Sequence, residues 1–269
     1  MHAGGMIRMD VLRQVMDERR GDVQAARRHC SEPVLRAEAA ARRHRSLQAK
    51  LREGGGTRIV AEVKKASPSA GILRPEYAPG AIAREYAAAG AAGISVLTEP
   101  RHFLGGEAHL REVRRVVDLP VLRKDFICDP YQVLESAAWG ADVVLLIVAA
   151  LDTGLLRRLY THAREIGLEV LVEAHTAIEV ATALALPEAI LGINSRNLKT
   201  LVTDLGVAEN LAKQIPDGRL SIAESGIRTR EDIVRMESCG YDGFLVGEAL
   251  LRAAAPGAAL QALRGEVAP

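Results

Sequence analysis

A chain of 269 residues, 48% hydrophobic and 26% charged, is long enough to bury a substantial core as one large α/β unit or two small ones. Its formal net charge of +1 removes the electrostatic case for nucleic acid or an anionic membrane as partner. Cys30, Cys128 and Cys239 lie far apart and no CxxC or HExxH occurs, so neither a disulfide framework nor a structural zinc site is supported.

The opening "MHAGGMIRMD" lacks the apolar stretch of a signal peptide, and no apolar run approaches roughly 18 residues; a reducing cytoplasm is the expected location. Residues 1–57 read as a helical extension that covers the larger unit beginning at residue 58. "DVLRQVMDERRGDVQAARR" and "PVLRAEAAARRHRSLQAKL" predict two polar helices, with "REGGGT" as a hinge. Arg19, Arg20, Arg27, Arg28, Arg42, Arg43 and Arg45 are interleaved with acids and read as a solvated helical face.

From residue 58 one grammar repeats: a short apolar run, a loop, then an amphipathic stretch. The runs are "RIVAEVK" (58–64), "GISVLT" (93–98), "PVLRKD" (120–125), "DVVLLIV" (142–148), "LEVLVEA" (168–174), "AILGIN" (189–194), "RLSIAES" (219–225) and "DGFLVG" (242–247). Between them, Asp129-Pro130 before "YQVLESAAWGA" and Thr229 before "REDIVRMESCGY" supply helix starts, and glycines supply stops. Eight such units predict a (β/α)8 TIM barrel over residues 58–269, close to that fold's usual size of about 250 residues. An open doubly wound sheet is the rival, but no GxGxxG or Walker pattern announces its nucleotide.

In a barrel the reactive groups stand at the carboxyl ends of the strands. Here those ends supply Glu62 and Lys64, Thr98 and Glu99, Lys124 and Asp125, Glu173, Asn194 with Arg196, and Glu224 with Ser225. Strand alternation puts Glu62 and Lys64 on one face, opposite the apolar Ile59, Ala61 and Val63. Glu62 and Lys64 therefore aim into the barrel mouth and Lys65 turns away, and the same parity aims Asn194 and Arg196 inward together. Arg123 has the opposite parity to Lys124. A single charge at a strand end is ordinary rim solvation; two lysines and three glutamates converging on one mouth point to proton transfer. Only six of the 35 cationic residues are lysine, the rest being arginine. Lysine can give up a proton when buried and arginine cannot, so an arginine-rich chain keeps lysine where a proton must move. Gly226 and Gly247 follow the last two strands, a position where barrels bind phosphate on backbone N–H groups.

These residues lie in "EVKKASPS", "SVLTE", "VLRKDF", "ADVVLLIV", "LVEAH", "GINSRNL", "AESGI" and "FLVGEALLR", which together resemble the indole-3-glycerol phosphate synthase family from residue 58 to about 252. The resemblance implies a lyase of tryptophan biosynthesis that takes 1-(2-carboxyphenylamino)-1-deoxyribulose 5-phosphate to indole-3-glycerol phosphate. It implies Lys124 as the general acid of ring closure and Glu173 as a second acid/base. Lys64 would hold the substrate carboxylate and assist dehydration, with Glu62, Asn194 and Glu224 orienting the lysines and Ser225 and Arg196 completing the polar wall. Phosphate would sit on Ser67, Gly226, Gly247 and the backbone of Glu248, and Phe103, Phe126, Leu145 and Leu198 would wall the anthranilate ring. No cofactor, metal, nucleic acid or membrane is implied; the partner is a phosphorylated small molecule. The chain is expected to be a monomer, with a weak homodimer as the alternative. Ala70 departs from the family, whose members often carry Lys there.

Three alternatives remain open on the sequence alone. A Schiff-base aldolase would use Lys124 as a nucleophile. Phosphoribosylanthranilate isomerase lacks its expected Cys/Asp pair here. A non-catalytic phosphate-binding barrel would not need the acid/base groups. Trp139 and Cys128 are expected to pack against helices, and His102, His109, His162 and His175 to be surface or loop residues.

Overall fold

The computed structural model describes residues 11–74, 76–198 and 200–266. The opening decapeptide, and with it the reading of "MHAGGMIRMD", lies outside the described residues. Eight parallel strands close into a barrel: Ile59–Val63, Gly93–Leu97, Val121–Lys124, Val143–Ile147, Glu169–Ala174, Ile190–Asn194, Ser221–Glu224 and Gly243–Val246. Each pairs with the next in chain order, and the eighth pairs with the first through Ile59 opposite Phe244 and Ala61 opposite Val246. Each strand is followed by at least one helix, so the chain is a (β/α)8 TIM barrel. All eight expected runs contain their strand. Among the described residues no helix is long and apolar enough to cross a membrane.

Alternation along the strands creates two apolar layers. Ile59, Ala61 and Val63 join Ile94, Val96 and the helix side chains Ile82 and Tyr86 in the outer layer. Val60, Leu122, Val143, Leu145, Leu171, Ile222 and Leu245 fill the barrel interior. Burying each large side chain contributes roughly 1.5–3 kcal/mol. Lys65, as its parity requires, stays out of the mouth; its carbonyl accepts from Leu73 N at 2.9 Å at the small hairpin Ala66–Ser67/Gly71–Ile72. Arg123, of the same outward parity, is fully buried and stacks on Trp139 at 3.9 Å. Cys128 is buried beside Gln132.

The amino-terminal extension forms three helices rather than two: α1 (Val11–His29), α2 (Glu32–Ala40) and α3 (Leu47–Arg52). The expected second helix breaks at residues 41–46 because its polar groups find distant partners. Arg42 donates to the carbonyls of Ala141, Ile166 and Gly167 at 3.0, 3.3 and 2.7 Å. Arg45 N donates to Asp142 Oδ1 at 2.9 Å, and Ser46 then caps α3 by accepting from Ala49 N at 2.9 Å. A continuous helix would carry these groups away from their partners. The arginines are accordingly not one solvated face. Arg20, Arg28 and Arg43 are exposed, but Arg19 is 6% exposed and bridges Asp22 and Asp125, both at 2.9 Å.

Helix α3 closes the amino end of the barrel. Leu47 and Leu51 enter the interior layer. Glycine leaves them space: a Cβ at Gly243 would lie 2.6 Å from Leu51 Cδ2, and one at Gly93 would lie 3.2 Å from Leu47 Cδ1. Glu169, which opens the fifth strand, accepts the N–H groups of Leu47 and Gln48 at 3.0 Å each, as well as the Ser46 hydroxyl. A carboxylate at a helix amino terminus satisfies donors the helix cannot.

Candidate active site

At the other end of the barrel, inward parity brings Glu62, Lys124, Glu173, Asn194 and Glu224 around one cavity of about 620 Å³. Lys64, Arg196 and Ser225 join them in its polar lining, as do Arg228, Glu248 and Arg252. Lys124 is the hub: its Nζ donates to Glu224 Oε2 at 2.9 Å and to Glu173 Oε2 at 3.2 Å. Lys64 Nζ pairs with Glu62 Oε1. Burial opposes the charge on Lys124, but attraction to Glu224, Glu173 and Glu62 outweighs it and holds its pKa above the ordinary lysine value.

The two carboxylates on Lys124 are driven apart. Burial pushes Glu224 up to about 7; Lys124 opposes that rise, and repulsion from Glu173 and Glu62 adds to it. Glu173 is equally buried, yet Lys124, His175 and Asn194 together hold it well below the usual carboxylate range. The sequence reading makes His175 an uninvolved loop residue. It does lie in a loop, half-buried, with Nε2 3.2 Å from Glu173 Oε1 and Nδ1 3.2 Å from Glu179 Oε2. It follows Glu173 by two positions, so strand parity applied one step past the strand would have aimed it at the mouth.

The residues expected to take phosphate are only partly brought together. Ser225 and Gly226 follow the seventh strand with φ of 63° and 89°, two successive left-handed residues that turn the chain sharply after Glu224. Gly226, Gly247 and Glu248 all line the cavity. Ser67 does not. It lies on an adjoining chamber of about 110 Å³, and its hydroxyl accepts from Ala70 N at 3.2 Å, closing its own turn. Gly247 has a further reason to be glycine, because a Cβ there would lie 3.0 Å from both Cβ and Cδ of Glu62. The Glu248 carboxylate meets Arg252 at 3.0 Å and Arg196 at 3.8 Å.

Opposite stands an apolar wall of Phe103, Phe126, Leu145 and Leu198, with the two phenylalanine rings 6.2 Å apart. Leu12 and Val15 of α1 line the outer side of the small chamber, so the extension reaches the site. Phe103 is aimed by Glu99, whose fully buried carboxylate accepts the N–H groups of Arg101, His102 and Phe103 at 2.9, 2.7 and 2.9 Å. The side chains of Arg101 and His102 turn the other way, to Asp22 at 2.6 Å and Glu18 at 2.8 Å on α1. Asp125 likewise serves as framework: its carboxylate is held by Arg19, Arg123 and Thr98 rather than offered to the cavity.

Fold and mouth together define a TIM barrel with a buried lysine–glutamate cluster at the carboxyl ends of its strands. A family model described as indole-3-glycerol phosphate synthase matches residues 12–263, extension and barrel together, and the chain belongs to that family. Similar solved structures include thiamine phosphate pyrophosphorylase from Pyrococcus furiosus, 17% identical with a TM-score of 0.59, over 82% of this chain and 96% of that one. Another is tryptophan synthase subunit alpha from Legionella pneumophila str. Paris, 15% identical with a TM-score of 0.58, over 81% and 97%. A third, described as native KDPGal, is 18% identical with a TM-score of 0.54, over 79% and 94%. At these identities the likeness is one of fold alone.

Proposed function

We propose that the chain catalyses the closure, decarboxylation and dehydration of 1-(2-carboxyphenylamino)-1-deoxyribulose 5-phosphate to indole-3-glycerol phosphate. The observation that carries this reading is a cationic Lys124 held by two carboxylates whose proton affinities differ, set between an apolar aromatic wall and a glycine-turned anion end. The phosphate lies on the backbone at Gly226, Gly247 and Glu248, and the anthranilate ring lies against Phe103 and Phe126. The substrate carboxylate pairs with Lys64.

In this orientation the ring carbon bearing the carboxylate attacks the ketose carbonyl, and Lys124 gives its proton to the carbonyl oxygen as the C–C bond forms. The carboxylate leaves as CO2, and its bonding pair restores the aromatic ring. The new hydroxyl then departs as water, protonated by Lys64, while Glu173 takes the proton from the adjacent carbon to form the ring double bond. Two protons are given and one is taken back, so each turnover consumes one. General acid/base groups of this kind contribute about 10²–10⁴-fold each.

A Schiff-base reaction at Lys124 needs a neutral amine, and the surrounding carboxylates oppose one. The test is an indole-fluorescence assay with the carboxyphenylamino substrate in EDTA. Appearance of indole fluorescence with uptake of one proton per turnover is expected, and its absence sinks the assignment. Borohydride added during turnover is expected to leave the enzyme active; a reduced adduct on Lys124 would install the aldolase-like chemistry instead.

A further inference from the structure

Glu173 and Glu224 hold the same lysine, yet their remaining oxygens meet opposite surroundings. Glu173 Oε1 faces His175 Nε2 at 3.2 Å, an ion-pair contact rather than an aligned hydrogen bond. Glu224 Oε1 is buried with no hydrogen-bond partner, tucked against Gly192. Distance to Lys124 alone would favour the wrong member as the ionised one, because Glu224 is closer, at 2.9 Å against 3.2 Å. Something else must reverse that preference if Glu173 is the base.

The ring of His175 is placed to do so. Its backbone N–H donates to Glu179 Oε2 at 2.8 Å, and the same oxygen lies 3.2 Å from Nδ1, so the ring is fixed at the head of the helix Ala177–Leu184. The charged groups that face it are Glu173, from the strand before it, and Glu179, from the helix after it. Lys124 binds the other oxygen of Glu173. The short 3-10 turn Val148–Ala150 that packs against this helix carries no charge.

We propose that His175, as an imidazolium, is the positioning residue that decides which glutamate on Lys124 stays ionised: it keeps Glu173 as the carboxylate and leaves Glu224 to carry the proton. Burial opposes a charge on the ring, but the carboxylate of Glu173 at ion-pair distance and the hydrogen-bonded carboxylate of Glu179 push its pKa up to about 10. Its charge is therefore present through neutral pH and lost only as pH rises toward that value. This inference rests on the acid/base reading of the mouth.

The first test needs neither a variant nor a reaction. NMR of the histidine ring nitrogens in the ligand-free protein should show His175 as an imidazolium through pH 8; a neutral ring at pH 7 overturns the proposal. The second uses protein labelled at the glutamate carboxyl carbons. His175→Gln should raise the titration of Glu173 and lower that of Glu224, and unchanged titrations of both overturn it. With the carboxyphenylamino substrate, His175→Gln should move the acid limb of kcat/KM up by about one pH unit or more while KM changes less than about threefold. A fall in turnover with an unmoved limb marks packing alone and overturns the proposal. Glu179→Gln should lower the ring titration and leave the acid limb in place, because the ring still carries its charge at the pH of that limb. If the parent turned over no substrate, the proposed reaction would fail, and the two titrations would still judge His175.

Discussion

The fifth strand carries a glutamate at each end, on the same face, and the two live under opposite rules. Glu169 at the floor is closed in by donors: two backbone N–H groups and a hydroxyl from the start of α3. Although burial opposes it, these contacts and His44 hold its pKa below the ordinary value. The mouth instead gathers Glu62, Glu173 and Glu224 around two lysines and leaves one buried oxygen, Glu224 Oε1, without a hydrogen bond. At the floor both oxygens of Glu169 meet donors, whereas at the mouth one oxygen of Glu224 meets none. The end sealed by a leucine-bearing helix is the one whose carboxylate is fully held, and the open end is the one whose carboxyl keeps a free hydrogen-bonding position.

This contrast can be broken from either side. Lys124→Arg keeps the mouth's charge but removes the transferable proton, so kcat should fall about 10²–10⁴-fold in single-turnover kinetics with near-normal substrate affinity and a similar melting temperature. A comparable loss of stability would show that the mouth is structural. Leu47→Ala at the floor should do the reverse. Urea unfolding should show a loss of about 2–5 kcal/mol for a buried leucine, with kcat and KM within about twofold of the parent.

The two glutamates give the smallest and sharpest effects. Glu169→Gln should destabilise by about 1–3 kcal/mol at neutral pH. Because the folded pKa is depressed, that stability is present above the unfolded value and lost on acidification, so the difference from the parent should close as pH falls. Glu224→Gln should move stability the other way. A raised folded pKa means the parent loses stability as pH rises from about 4.5 to about 7, so the variant should gain on the parent across that window while turnover falls. Parallel pH profiles for the two variants would erase the distinction between floor and mouth.

The eight strands and the inward groups were legible because alternation is a local property. Ile59, Ala61 and Val63 against Glu62 and Lys64 decide the facing of the first strand without reference to any other part of the chain. What escaped depends on distant partners. Arg42 ends a helix because its acceptors are the carbonyls of Ala141, Ile166 and Gly167, and Arg19 is buried because Asp125 waits for it. Ser67 sits in a motif that suggests phosphate, yet its hydroxyl is turned to Ala70, a matter of loop geometry that residue type does not encode. His175 belongs to a third kind. Parity reaches it, but a histidine outside any metal-ligand spacing carries no chemical signal of its own until its neighbours are known.

The loop after the second strand separates two tasks within three residues. Since Glu99 aims it through backbone N–H groups, the direction of Phe103 does not depend on which side chains occupy positions 101 and 102. Those two positions are therefore free to answer to α1, where Arg101 and His102 find Asp22 and Glu18. Changes at positions 101 and 102 can rewrite that contact while the backbone N–H groups that aim Phe103 stay in place. The loop thus has an outer face whose side chains answer to the extension and an inner ring whose direction they do not set.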